Sequence, residues 1–201
     1  MIHKIGLTGG IAAGKSEVAA LLRDRGLIVV NLDEVGRKVS LDPKVIVDIN
    51  EICGLSGDNL DRAKVRAIVF SDDAIRKKVE QRLHPVILAE FEREMAEAEK
   101  GGHRVIVCEA ALLVESGYQK HLDELIVVTA AEAQRKNRLI ARDNIDAELA
   151  DKILAAQTKD DVKLKVATYV LKNDTSREVL AARVDELLEI WRGKGYLDRV
   201  H

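Results

Sequence analysis

Eight consecutive residues have the types and spacing to hold a polyphosphate: Gly9-Gly10-Ile11-Ala12-Ala13-Gly14-Lys15-Ser16, a complete G-x4-G-K-[ST] motif. Gly9 and Gly14 permit backbone dihedrals that other residues resist, so successive N–H groups can turn inward toward phosphate oxygens. A helix opening at Lys15 adds the partial positive charge of its N-terminus. The Lys15 ammonium suits the β and γ oxygens of a nucleoside triphosphate. The Ser16 hydroxyl suits a Mg²⁺ ion that bridges them. The expected ligands are ATP and Mg²⁺, and Gly9, Gly10, Ala12, Ala13, Gly14, Lys15 and Ser16 are the nucleotide-binding residues.

A phosphate loop serves both kinases and nucleotide-driven switches. Asp33-Glu34-Val35-Gly36 fits the D-x-x-G by which GTPases sense a γ-phosphate. No N-K-x-D guanine reader accompanies it, and Thr158-Lys159-Asp160-Asp161 lacks the asparagine. Asp33 instead lies just past the carboxyl end of the second expected strand, where ligands sit in open α/β sheets. A carboxylate there accepts or orients the proton of an attacking hydroxyl. The same position also fits a simple helix cap, with the helix starting at Glu34.

Arg135, Arg138 and Arg142 recur at i, i+3 and i+7, which places three guanidiniums on one helix face, with Lys136 beside them. Arginines so placed stabilise the charge of phosphoryl transfer. A merely solvated charged face has the same pattern.

These groups need a scaffold, and the hydrophobic pattern supplies one. Apolar runs at Ile2–Leu7, Leu27–Val30, Arg104–Cys108, Leu125–Val128 and Tyr169–Leu171 read as short buried strands. Helical patterns lie between them: Lys15 to Arg25 stopped by Gly26, Ala131 to Arg142, two short polar helices over 146–166, and a last helix from Ser176 to about Trp191. Residues 34–102 are helical without a strand and are broken by Pro43, Gly54, Gly57 and Pro85. Pro85 fits the first position of a long helix over 85–100, with His84 as its cap. The expected fold is α/β: a P-loop NTPase with a five-stranded, doubly wound parallel sheet, a helical insertion and a small helical lid. The core comprises residues 1–33, 103–142 and 167–201, the insertion residues 34–102, and the lid residues 143–166, whose closure would keep water from the phosphoryl group.

The same strings, taken in order, resemble the dephospho-CoA kinase family over about residues 2–190. They are Ile5-Gly6-Leu7-Thr8-Gly9-Gly10-Ile11 before Gly14-Lys15-Ser16, then Asp33 with Arg37, then Leu60-Asp61-Arg62 with Arg66 and Phe70. Leu83-His84-Pro85, Leu112-Leu113-Val114-Glu115-Ser116-Gly117 and Arg138-x3-Arg142-Asp143 follow, and then Ala156-Gln157, Lys163 and Asn173-Asp174. The resemblance implies ATP-dependent phosphorylation of the ribose 3′-hydroxyl of dephospho-CoA, with Mg²⁺; separately, cysteine use and the lack of a long apolar run point to a cytoplasmic protein, and the expected assembly is a monomer or weak homo-oligomer. The resemblance makes Asp33 the base and Lys15 and Arg138 the other catalytic residues. Glu17, Arg142 and Asn173 join the nucleotide site, Asn173 near the adenine. Arg37, Arg62, His84 and Glu115 become candidate substrate contacts, although Glu115 also fits a loop-holding role. The chain departs from the family pattern at Asn31, where Asp is usual two residues before the base, at Ala111, where Pro is usual, and at Glu17, where Thr is common. Glu109, ending the third strand, fits either water-mediated support of Mg²⁺ or a buried cap.

Composition sets the outer limits. The 201 residues carry a net charge of −2, with hydrophobic residues at 47 % and charged ones at 33 %. That balance supports a full core and gives no basic field for nucleic acid or anionic membrane. Cys53 and Cys108 are two isolated cysteines, which suits a reducing compartment and neither a disulfide framework nor zinc. The opening MIHKIGLTGG breaks into glycine too early for a secretory h-region. A kinase of another small molecule, such as a nucleoside monophosphate, and a nucleotide-regulated switch are the remaining alternatives. The Leu-His-Pro and Leu-Leu-Val-Glu-Ser-Gly strings speak against the first.

Overall fold

A computed structural model describes residues 2–57, 59–155 and 160–197. Five strands form one sheet: β1 His3–Gly9, β2 Ile28–Asn31, β3 Val105–Glu109, β4 Glu124–Thr129 and β5 Tyr169–Lys172. Their order is β2-β3-β1-β4-β5, and the sheet is parallel, with Leu7 opposite Glu109 on one side and Ile126 on the other. Strand order therefore reverses at β1, and the phosphate loop leaves the carboxyl end of that strand, at the switch point of the sheet.

Burial of alternate residues explains the two-sided cover. Ile5, Leu7, Val105, Val107, Ile126 and Val128 join one core with Val18, Ala19, Leu21 and Leu22 of α1 (Lys15–Asp24) and Leu180, Val184, Leu187, Leu188 and Trp191 of α9 (Arg177–Gly193). The intervening strand residues Ile106, Cys108, Leu125 and Val127 are buried as well. A strand buried on both faces reads as an unbroken apolar run, which is the pattern these strands have in the sequence. Helix α1 stops at Gly26 as expected: the Gly26 N–H donates to Arg23 O and the Leu27 N–H to Leu22 O, a Schellman closure. Ser176 occupies the N-cap position of α9, but its side chain makes no capping bond to the backbone. Its hydroxyl serves the Glu178 carboxylate instead and helps hold that group below its ordinary range.

The chain divides into two compact units, Met1–Val30 with Ala98–His201, and Asn31–Glu97. The second carries α2 (Leu32–Val39), α3 (Pro43–Ile52), α4 (Arg62–Ser71) and most of α5 (Asp73–Lys100). Its core is Val45, Ile49, Cys53 and Val79, with Val65, Ile68, Val69 and Leu83 packed against them. Two expectations fail here. Pro85 does not start a helix; it lies inside the 28-residue α5, so His84 is an exposed mid-helix residue and caps nothing. The apolar stripe Val79, Leu83, Ile87, Phe91 runs at four-residue spacing through Pro85. Burial of Val79 and Phe91, and packing of Leu83, outweigh the hydrogen bond that proline removes.

Asp33 does not cap α2 either. The cap is Asn31, whose side chain accepts from the Glu34 N–H at 3.1 Å, and Asp33 is exposed in the first turn. The expected consequence is that Asn31→Ala lowers stability by about 1 kcal/mol in urea unfolding, as loss of an N-cap does. Among the described residues, no helix is long and apolar enough to cross a membrane.

Candidate active site

The phosphate loop joins β1 to α1, and its shape is fixed from outside. At Gly9 an added Cβ would stand 2.6 Å from the Val128 carbonyl oxygen of β4, so only glycine fits against the neighbouring strand. Gly14 has φ +96° and caps α1 in the left-handed region. A Cβ there would lie 1.9 Å from the Asn173 amide nitrogen. Ala12 also holds a positive φ, 58°, a strained conformation for a residue with a Cβ.

That strain is held by α6 (Glu132–Asp143) and by Asn173 at the end of β5. Arg135, buried, donates from Nε to Ile11 O at 2.9 Å. Asn173 Nδ2 donates to Ala13 O at 2.9 Å. Arg138 donates from Nη2 to Asn173 O at 2.8 Å, and its Nη1 lies 3.4 Å from Ala12 O and 3.5 Å from Ala13 O. Three successive loop carbonyls are thus drawn outward. Because each peptide unit is planar and trans, its N–H points opposite to its carbonyl. Pinning the carbonyls of Ile11 and Ala13 therefore turns the N–H groups of Ala12 and Gly14 the other way, as anion binding requires.

The reading of the arginine row as a solvated face is overturned for Arg135 and Arg138. Arg142 is different: it forms a two-point pair with its neighbour Asp143 at 2.7 and 2.8 Å. That carboxylate raises the guanidinium above its ordinary value, and the guanidinium lowers Asp143. Lys136 pairs with Asp151 of α7 (Ala147–Ala155) at 2.7 Å. Asp174 anchors the start of α6 by accepting from the Ala131 N–H at 2.7 Å. Sequence reasoning gave Asp174 no role, and its signal was only its place after Asn173.

Glu109 is 1 % exposed and accepts from Lys15 Nζ at 2.8 Å, with Arg23 Nη2 3.5 Å from its other oxygen. The last residue of β3 therefore meets the loop lysine beside the exposed Ser16 helix start. Among the described residues, no group of three or more His, Cys, Asp or Glu is gathered to hold a metal. The Ser16 hydroxyl and the Glu109 carboxylate are hard oxygen donors, the kind Mg²⁺ takes in ones or twos beside phosphate oxygens.

Glu115 has a structural partner: Lys163, itself buried, lies 3.0 Å from its carboxylate and donates to Ala111 O at 3.2 Å. Thr8 Oγ1 donates to the same carbonyl at 3.2 Å. These bonds tie α8 (Asp160–Leu164) and β1 to the segment after β3. Glu17 pairs with Arg177 of α9. In the second unit, Arg37 and His84 are exposed, and Arg62 donates to Arg37 O and Ser40 Oγ, each at 3.2 Å. Ala156 and Gln157 lie outside the described residues.

Comparison with known proteins gives concordant results. The sequence profile of the dephospho-CoA kinase family matches residues 3–178. A dephospho-CoA kinase of Fusobacterium nucleatum is 35 % identical over 190 residues, covering 92 % of this chain and 96 % of that protein. A solved Thermus thermophilus structure aligns with a TM-score of 0.83 at 30 % identity, over 94 % of this chain and 97 % of that one. The dephospho-CoA kinase of Campylobacter jejuni shares the fold, with a TM-score of 0.71 at 24 % identity over 98 % and 100 % of the two chains.

Proposed function

The chain belongs to the dephospho-CoA kinase family, and we propose from that premise that it transfers the γ-phosphoryl group of ATP to the ribose 3′-hydroxyl of dephospho-CoA, giving coenzyme A and ADP. The observation that carries the reading is the phosphate loop with its carbonyls pinned outward by Arg135, Arg138 and Asn173. A loop whose carbonyls are held by fixed partners spends little of the binding energy on ordering itself.

ATP lies along the loop N–H groups, with Lys15 leaving Glu109 for the β and γ oxygens. Ser16, with Glu109 through water, would hold Mg²⁺, and the ion would supply positive charge to the phosphate oxygens. Asp33 accepts or orients the 3′-hydroxyl proton as that oxygen attacks in line. Arg138 and Arg142 stabilise the transferring group, and most of the rate comes from positioning and electrostatics. Residues 34–102 bind the acceptor through Arg37, Arg62 and His84. Residues 143–166 act as the lid. The Lys163 ion pair with Glu115 and the Lys136 pair with Asp151 support a lid fastened at its two described helices. Glu115 serves as an anchor in this scheme, and Asn173 serves the loop as well as the adenine side.

The test is ADP release from ATP·Mg²⁺ with dephospho-CoA, with AMP as control acceptor. Strong stimulation by dephospho-CoA alone, with coenzyme A as product, is the expected result. Equal or greater stimulation by AMP would move the chain to another acceptor class. No stimulation by either would return it to the ATPases and switches.

A further inference from the structure

Two cations from opposite ends of α1 share the Glu109 carboxylate. Glu109 is 1 % exposed, and its two oxygens face Lys15 Nζ at 2.8 Å and Arg23 Nη2 at 3.5 Å. Lys15 opens the helix, and Arg23 lies in its last turn, about 12 Å along the axis at 1.5 Å per residue. Side chains of a helix tilt toward its N-terminus, so a long arginine in the last turn reaches back toward the phosphate loop. The same Nη2 donates to Val29 O of β2 at 3.2 Å, which holds the guanidinium between β2 and the end of β3. The phosphate-loop motif ends at Ser16 and calls for no particular residue at position 23.

We infer that Arg23 is a positioning residue for Lys15: it keeps the Glu109 carboxylate balanced when the lysine leaves for the β and γ oxygens of the nucleotide. The inference rests on the departure of Lys15 proposed above. The free energy at stake is that of a buried charge. A carboxylate taken out of water holds its partner cation strongly, and separating the two is costly unless another cation stays behind. Glu109 therefore competes with the triphosphate for Lys15. With Arg23 at its second oxygen, the carboxylate keeps a cation before and after ATP binds, and that competition weakens. A guanidinium suits this place. It does not lose its proton in proteins, and its forked donors can close on the carboxylate while still holding Val29 O. Ordinary surface ion pairs contribute little because water and salt screen both partners. Here the carboxylate is out of water, so its second cation is screened far less.

The test is titration calorimetry with ATP in EDTA, so that side chains alone compete for the phosphates and no divalent cation acts through Glu109. Arg23→Gln should raise the dissociation constant about 10-fold, within the usual range of coupling between two sites. In a Glu109→Gln background the same substitution should change it by less than about 2-fold, because no carboxylate then holds the lysine. The effect should vanish equally in a Lys15→Met background, where there is no lysine to release. A thermal melt on each variant checks folding, and Lys15→Met serves alone if Glu109→Gln is unfolded at the working temperature. An unchanged constant in Arg23→Gln overturns the inference. An equal rise in the parent and in either background also overturns it, because Arg23 would then act on the nucleotide directly or through the fold. ATP binding by Lys15→Met as tight as the parent's would instead remove the premise, since the lysine would not go to the phosphates. No acceptor is present in the titration, so its outcome is independent of which hydroxyl is phosphorylated.

Discussion

Lys15→Ala lowers turnover at least ~10²-fold, the loss that follows removal of one strong transition-state donor. Two roles of the lysine meet in this result. Its ammonium is the cation of the phosphate loop, and it is also 2.8 Å from the buried carboxylate of Glu109. Alanine therefore removes a charge from the reaction and leaves a buried carboxylate without its lysine. Breaking a fully buried pair destabilises by about 3–5 kcal/mol. The effect here is smaller, because the lysine is partly exposed and Arg23 stands 3.5 Å from the same carboxylate. Turnover must accordingly be measured below the melting transition, on protein whose circular dichroism matches the parent. Lys15→Met with Glu109→Gln removes both charges together and so avoids leaving the buried carboxylate without its lysine. If that double variant folds like the parent and turns over within tenfold of it, Lys15 has no part in the phosphoryl step.

Asp33→Asn lowers kcat by about 10²-fold or more, within the range of a lost general base, while the affinity for ATP stays close to that of the parent. The structure removes one competing explanation, a capping role for Asp33. Asn31 caps α2, so amidation of Asp33 removes no capping bond. The backbone carbonyl of Asp33, which accepts from Arg37, is untouched by the substitution. Single-turnover phosphoryl transfer, together with ATP binding measured separately, distinguishes the outcomes. Equal losses in both would assign the carboxylate to metal or nucleotide binding and not to the acceptor hydroxyl.

Asn31 also bears on the departure from the family pattern. Asn and Asp are comparable helix N-caps, both offering an oxygen to the N3 amide. The structural duty seen for Asn31 is therefore one that the usual aspartate also performs. Ala111 reads similarly. The structure uses its carbonyl, which accepts from Thr8 and Lys163, and any residue type provides that group.

What the sequence determined by itself is local or periodic. The phosphate loop is contiguous, and its glycines, lysine and serine announce their chemistry within eight residues. Strands β1, β3 and β4 are buried on both faces and appear as unbroken apolar runs. Gly26 ends α1 through bonds reaching back no more than five residues. Each of these depends on neighbours in the chain, so spacing carries the information.

Tertiary structure decided the rest. The arginine row was legible as a row, but its direction was not: Arg135 reaches Ile11 across 124 residues and draws a carbonyl outward instead of presenting its charge to solvent. Asn173 holds Ala13 across 160 residues, and Lys15 finds Glu109 across 94. Pro85 was read as a boundary because proline removes a backbone donor, yet packing on both sides of it carries α5 through. Asp33 lost its cap role to Asn31 because helix α2 begins two residues earlier than its pattern suggests. For Pro85 the deciding free energy is burial, and for Asp33 it is a cap two residues back that the pattern fitted equally well. For the loop contacts the deciding partners are distant along the chain and leave no spacing in the sequence, because they meet only once the sheet has brought the carboxyl ends of β1, β3 and β5 to one edge.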